Sequence, residues 1–219
     1  AIARWSTEAT AQRLVEALER ARGGERWGRP KPAAVPAPVA PPAVGFITHQ
    51  LPPFPRQVRL DTINSCNARC LPCHIQRTGG KMPRELLEAA LAEMASWEQP
   101  PQEVVPVNFG ELFLHPDWEE RLRLISTRLP NTRIALATNA SLLDRAEAER
   151  LASIPTLKWV NFSINAFFAE TYSSFMGLKP EVVDRAVEAS AILRSMRPDV
   201  HLCASQIFEP GCQSEIERD

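Results

Sequence analysis

From Gln57 onward, short runs rich in Val, Ile, Leu and Phe alternate with amphipathic helical patterns, and this rhythm limits the possible folds more than any other feature. Five runs read as strands: Val58–Thr62, Val104–Phe109, Arg133–Thr138, Trp159–Ile164 and Val200–Ile207. Between them, Pro83–Trp97, Trp118–Leu129, Asp144–Ala152 and Pro180–Met196 carry apolar residues at helical spacing. Pro83 and Pro180 are expected in the first turn of their helices, where a missing N–H does no harm. Strands alternating with helices imply a parallel sheet built from crossover units. No dinucleotide fingerprint follows a strand, so the expected fold is α/β, a partial (β/α) TIM-like barrel cut off after the fifth strand. Glu209 to Asp219 reads as a loop entering another helix.

The first 45 residues read differently. Ser6 to Ala21 makes a helical pattern with Ser6 or Thr7 as cap, a stripe of Leu14, Val15 and Leu18, and Gly23-Gly24 as terminator. Six prolines then fall between Pro30 and Pro42, which fixes backbone angles, removes donors and makes an extended linker. The expected division is an appendage over 1–45, without a function of its own in the sequence, and a core domain over 46–219. A chain that starts at Ala1 without Met reads as a fragment or a processed product.

With 44% hydrophobic and 23% charged residues the chain can bury an ordinary core, and a net charge of -1 argues against nucleic acid or an anionic membrane as partner. No apolar run reaches the roughly 18 residues of a membrane helix, and no secretory signal precedes the core. Three of the five cysteines cluster, unlike a disulfide framework, so a reducing cytoplasm is the expected location.

Those three are Cys66, Cys70 and Cys73 in CNARCLPCH, spaced C-x3-C-x2-C directly after the first strand. Soft thiolates select zinc, copper(I) or iron–sulfur clusters. A structural zinc site wants four ligands; His74 adjoins Cys73 too closely to share one ion with it, leaving distant Cys203 or Cys212 as fourth ligand. A [4Fe–4S] cluster takes one cysteine per iron, so three cysteines leave one iron open for an outside ligand. The spacing keeps both readings in play. The loop sits at the C-terminal end of the first strand, the face where barrels carry active sites.

CNARCLPCH in this setting resembles the signature of the radical S-adenosylmethionine (SAM) enzymes, over about Pro53 to Asp219. The resemblance implies that Cys66, Cys70 and Cys73 hold a [4Fe–4S] cluster whose open iron chelates SAM. One electron from the cluster cleaves SAM, and the 5′-deoxyadenosyl radical takes a hydrogen atom from substrate. It also implies an electron donor such as a flavodoxin or ferredoxin. The layout is similar to the branch that modifies peptides or small metabolites and often adds a C-terminal SPASM-type domain with further clusters; no second cysteine-rich module occurs here.

Later strand ends extend the likeness. Asn108-Phe109-Gly110-Glu111-Leu112 is similar to the family's Gly-Gly-Glu-Pro stretch, which implies that Gly110 lies close to the SAM methionine moiety and that Glu111 pairs with its ammonium. Phe109 and Leu112 depart from the usual glycine and proline. Thr138-Asn139-Ala140 is similar to a Thr-Asn-Gly element, with Asn139 as a SAM contact or turn former. Ser163 and Asn165 resemble a Ser/Asp pair expected on one strand face to reach the ribose hydroxyls. Ser205, Gln206 and Glu209 fall where the family contacts SAM or substrate. Pro72 stands where relatives carry an aromatic residue near adenine. His115 is expected to shape a turn ahead of Asp117 as helix cap, and Cys203 reads as core.

Overall fold

A computed structural model describes residues 53–166 and 169–205. The helix and linker expected before Pro53, with the domain boundary at 45/46, lie outside the described residues, as do Gln206, Glu209 and Cys212. Five parallel strands form one sheet in the order β1-β2-β3-β4-β5: β1 Gln57–Arg59, β2 Glu103–Val105, β3 Arg133–Thr138, β4 Leu157–Ser163 and β5 His201–Ser205. Helices α1 Arg84–Ser96, α2 Trp118–Arg128, α3 Arg145–Ala152, α4 Ala169–Met176 and α5 Val182–Met196 fill the crossovers. Each strand pairs with the next one in sequence, and crossovers of one hand put the helices on one face. The fold is a partial (β/α) barrel, as the alternation implies.

Most element ends fall within two residues of expectation, and β3 coincides. Two differences have physical causes. Strand β2 stops at Val105 because Pro106 has no N–H to offer β3. Its carbonyls still serve the first strand's continuation: Leu60 N donates to Val105 O at 2.8 Å and Thr62 N to Pro106 O at 3.2 Å. Pro83 and Pro180 lie ahead of the helices rather than in them, α1 starting at Arg84 and α5 at Val182. Helix α4 was not expected at all.

Alternation sorts the sheet into two faces. Val104, Ile134, Leu136, Val160, Phe162 and Leu202 are at most 1% exposed and join Leu87, Leu91, Leu122, Ile125, Leu151 and Leu193 of the helices in one core. The opposite face carries Ala135, Ala137, charged residues, Val105 and Trp159. A trough of about 570 Å³ over it is lined by Arg59, Glu103, Val105, Arg133, Ala137 and His201, among others.

Two arginines fasten the frame. Arg197, after α5, donates to Ala152 O, Ile154 O and Leu157 O at 2.8–3.1 Å and pairs with Asp199. Arg150 lies over the Trp118 ring at 5.0 Å, and Phe113 meets Trp118 edge-on at 4.9 Å.

Candidate active site

The C-terminal strand ends carry the cysteine loop. Cys66 and Cys70 are half-buried and Cys73 is exposed, all three as free thiols. A turn closes the loop, with Cys73 N donating to Cys70 O at 3.0 Å. Arg77 clamps it from within: its guanidinium donates to Cys66 O at 3.3 Å, to Ala68 O, and to Cys73 Sγ at 3.6 Å. Asn139 approaches from β3, its Nδ2 lying 3.7 Å from Cys66 Sγ and 3.0 Å from Asn67 Oδ1. Asn67 in turn donates to Ser141 Oγ at 2.7 Å. Burial pushes the Cys66 and Cys70 thiols above the ordinary value, and negative charge on Cys66 and Cys73 raises Cys70 further, so the three stand within reach of one another's field.

Helix α4 closes the other side. Its last carbonyls, which no helical N–H can reach, serve as acceptors: Arg69 N donates to Met176 O at 2.7 Å and Leu71 N to Phe175 O at 2.9 Å. Met176 Sδ takes the Cys70 S–H at 3.5 Å and Asn165 Nδ2 at 3.0 Å. Gly177 ends the helix at φ +63°, and a Cβ there would stand 2.9 Å from Arg69 Cβ. Tyr172 is fully buried, with a hydroxyl that has no partner among the described residues.

Glu111, 2% exposed, ties three strand ends together. Its N donates to Ser65 O at 2.7 Å. Its carboxylate receives Thr138 Oγ1 at 2.8 Å, Asn139 N at 2.8 Å and Phe113 N at 3.4 Å. Burial pushes its pKa up to about 7 against these donors. Gly110 approaches backbone rather than an open pocket: a Cβ there would meet Ile63 O at 2.2 Å and Ser65 O at 2.9 Å. Any larger residue would push the Glu111 turn off the cysteine loop.

The Ser163 and Asn165 pair is arranged differently from a simple strand. Strand β4 ends at Ser163, and Asn165 takes φ +50°, so the alternation stops before it. Asparagine is among the few residues at ease there. Asn165 is 4% exposed, and its N donates to Ser205 O at 3.2 Å. Ser163 stays in register beside Ser205. Sequence reasoning missed Asn161, whose Nδ2 donates to Ser205 Oγ at 2.8 Å and whose Oδ1 accepts Cys203 S–H at 3.3 Å. Burial pushes the Cys203 thiol up to about 11. Arg77 and Tyr172 were missed too; no local pattern marks either.

His115 shapes its turn by accepting Asp117 N on Nδ1 at 3.1 Å, while Asp117 occupies the cap position of α2 without a side-chain bond to it. Among the described residues no three His, Cys, Asp or Glu side chains converge on a single-ion site. The three cysteines of the loop offer soft thiolate donors of the kind an iron–sulfur cluster takes. No helix among them is long and apolar enough to cross a membrane.

A model of the Radical SAM superfamily matches residues 60–207, more than half of the chain. No curated protein matches the sequence. Among solved structures, Streptococcus suis SuiB bound to precursor peptide SuiA superposes with a TM-score of 0.57 at 18% identity, over 71% of this chain and 33% of SuiB. BtrN in complex with AdoMet and 2-DOIA gives 0.53 at 15%, over 69% and 57%. Native anSMEcpe with bound AdoMet gives 0.55 at 19%, over 69% and 43%. The chain thus spans a third to somewhat over half of each of these relatives, and the likeness is one of fold.

Proposed function

Because this chain belongs to the radical SAM superfamily, we propose that Cys66, Cys70 and Cys73 hold a [4Fe–4S] cluster for the reductive cleavage of SAM and hydrogen abstraction from a peptide or small molecule. The carrying observation is the cysteine loop itself. Its three cysteines share one loop at the C-terminal strand ends, on a backbone that Arg77 and the end of α4 hold in place. N–H donors already stand beside two of the sulfurs, Asn139 at Cys66 and Arg77 at Cys73, as iron–sulfur ligands require for tuning.

When bound, the cluster and SAM supply the electron and the carbon radical, chemistry that no side chain offers. The chain's own residues bind and shield. Glu111 offers a buried carboxylate to the SAM ammonium, and a cation brought against it would favour its charged form. Asn139 fixes the Cys66 side, and Ser163 and Asn165 are the ribose contacts. Gly110 contributes by letting the Glu111 turn lie against the loop.

The trough over the uncovered sheet face, lined by Glu103, Arg133, Lys158 and His201 at the strand beginnings, gives substrate a place on the same sheet. SuiB's precursor peptide and BtrN's small ligand mark the two substrate classes. An electron donor such as a flavodoxin or ferredoxin, in a reducing cytoplasm, completes the scheme. Anaerobic reconstitution of the full chain with iron and sulfide, followed by a reductant and SAM, tests it. About four irons per chain and 5′-deoxyadenosine formation are expected. Tight zinc without SAM binding would instead establish a zinc-stabilised binding module, and cluster without SAM cleavage an inactive fragment.

A further inference from the structure

Each ligand sulfur needs a donor once it is a thiolate, because a buried anion without hydrogen bonds is costly. Cys66 has Asn139 Nδ2 and Cys73 has the Arg77 guanidinium. Among the described residues no side chain donates to Cys70, which has its own backbone N–H. Its side-chain hydrogen bond among them is to Met176 Sδ at 3.5 Å, toward which the thiol itself donates. A thioether carries no proton, so it cannot return the bond when Cys70 is a ligand and an acceptor only.

Against this stands a donor without an acceptor. Tyr172 is 0% exposed and its hydroxyl is unpartnered among the described residues. It lies one helical turn before Met176, on the same face of α4, and the Met176 side chain on that face meets Cys70 Sγ at 3.5 Å. Buried hydroxyls are nearly always bonded, and an orphan calls for a missing partner. Burial pushes its pKa up, and negative charge on Cys70, ahead of Glu111, adds to the rise. Of these two acceptors, Glu111 already receives three donors.

We infer that Tyr172 is a positioning residue whose hydroxyl donates a hydrogen bond to the Cys70 sulfur when that sulfur binds the cluster. The inference rests on the cluster reading above. A third side-chain donor to the ligand sulfurs stabilises the more negative, reduced cluster, so it raises the reduction potential.

The test compares the parent and Tyr172→Phe, both reconstituted anaerobically over the full chain, by iron content and by a redox titration followed by electron paramagnetic resonance. The expected result is equal iron per chain and a midpoint potential more negative in Y172F, with Tyr172→His, which restores a donor, moving back toward the parent. A second measurement needs no variant: transfer of the loaded parent to deuterated buffer shifts the iron–sulfur stretching bands if the phenol proton bonds a ligand sulfur, and that part of the shift is lost in Y172F. Equal midpoints and equal isotope shifts would overturn the inference alone. Y172F that keeps its helix content but takes up no iron would also overturn it, since a tuning donor is not needed for assembly. A parent that takes up no cluster would overturn the cluster reading and this inference together.

Discussion

Glu111 shows what single residues contribute here. Its carboxyl is buried and titrates near 7 instead of 4.5, so between those values the folded chain holds a proton that the unfolded chain has released. Stability therefore falls as pH rises through that window, by on the order of 3 kcal/mol in the metal-free protein. Denaturant unfolding from pH 4 to 8 should show this slope in the parent and not in Glu111→Gln. Ala140 offers a second case. It is fully buried at φ +60°, where the family's Thr-Asn-Gly element has glycine. Ala140→Gly exchanges backbone relief for a lost buried methyl and should stay within about 1 kcal/mol of the parent. Ala140→Val places a branched side chain in that region and should cost about 2 kcal/mol or more. The substitution Ala for Gly was visible in the sequence; that it falls at positive φ was not, because the strand-end geometry comes from Thr138 and Asn139 bonding Glu111.

At the scale of elements, α4 decides how the loop is held. Its sequence, AETYSSFM, is short and rich in Thr, Ser and aromatic residues of modest helix propensity. Nothing local announces it, whereas α1, α2, α3 and α5 show apolar stripes and were legible to within two residues. What secures α4 is tertiary: Phe175 and Met176 carbonyls taken by the cysteine loop, and Gly177 in the left-handed region to end the helix. Gly177→Ala should cost about 1–2 kcal/mol from the backbone conformation and the clash with Arg69. Hydrogen exchange should then speed up at the Arg69 and Leu71 amides before it changes at the sheet centre. Unchanged exchange there would mean that the loop does not depend on α4. For the same reason Arg77 and Tyr172 escaped the sequence reading, although the cysteines did not. Ligand spacing is a sequence pattern, whereas Tyr172 comes from another element and Arg77, though in the same loop, carries no pattern that marks it.

For the molecule as a whole, the core is made of strand and helix side chains, with Cys66 and Cys70 packed at its edge. A zinc finger needs its metal to fold; here a sheet packed on helices supplies an apolar core of its own. The triple variant Cys66→Ser, Cys70→Ser, Cys73→Ser should keep the far-ultraviolet circular dichroism and cooperative melting of the parent while taking up no iron. Loss of the fold in that variant would point to a metal-stabilised module. The sequential strand order also has a consequence in time. Each strand can dock on its predecessor as the chain is synthesised, since neighbours in the sheet are neighbours in sequence. The cysteine loop is the exception: Cys70 waits for Met176, 106 residues later. A nascent chain thus carries three thiols into the cell well before the helix that seats them exists, and cluster delivery belongs to the last stage of biogenesis.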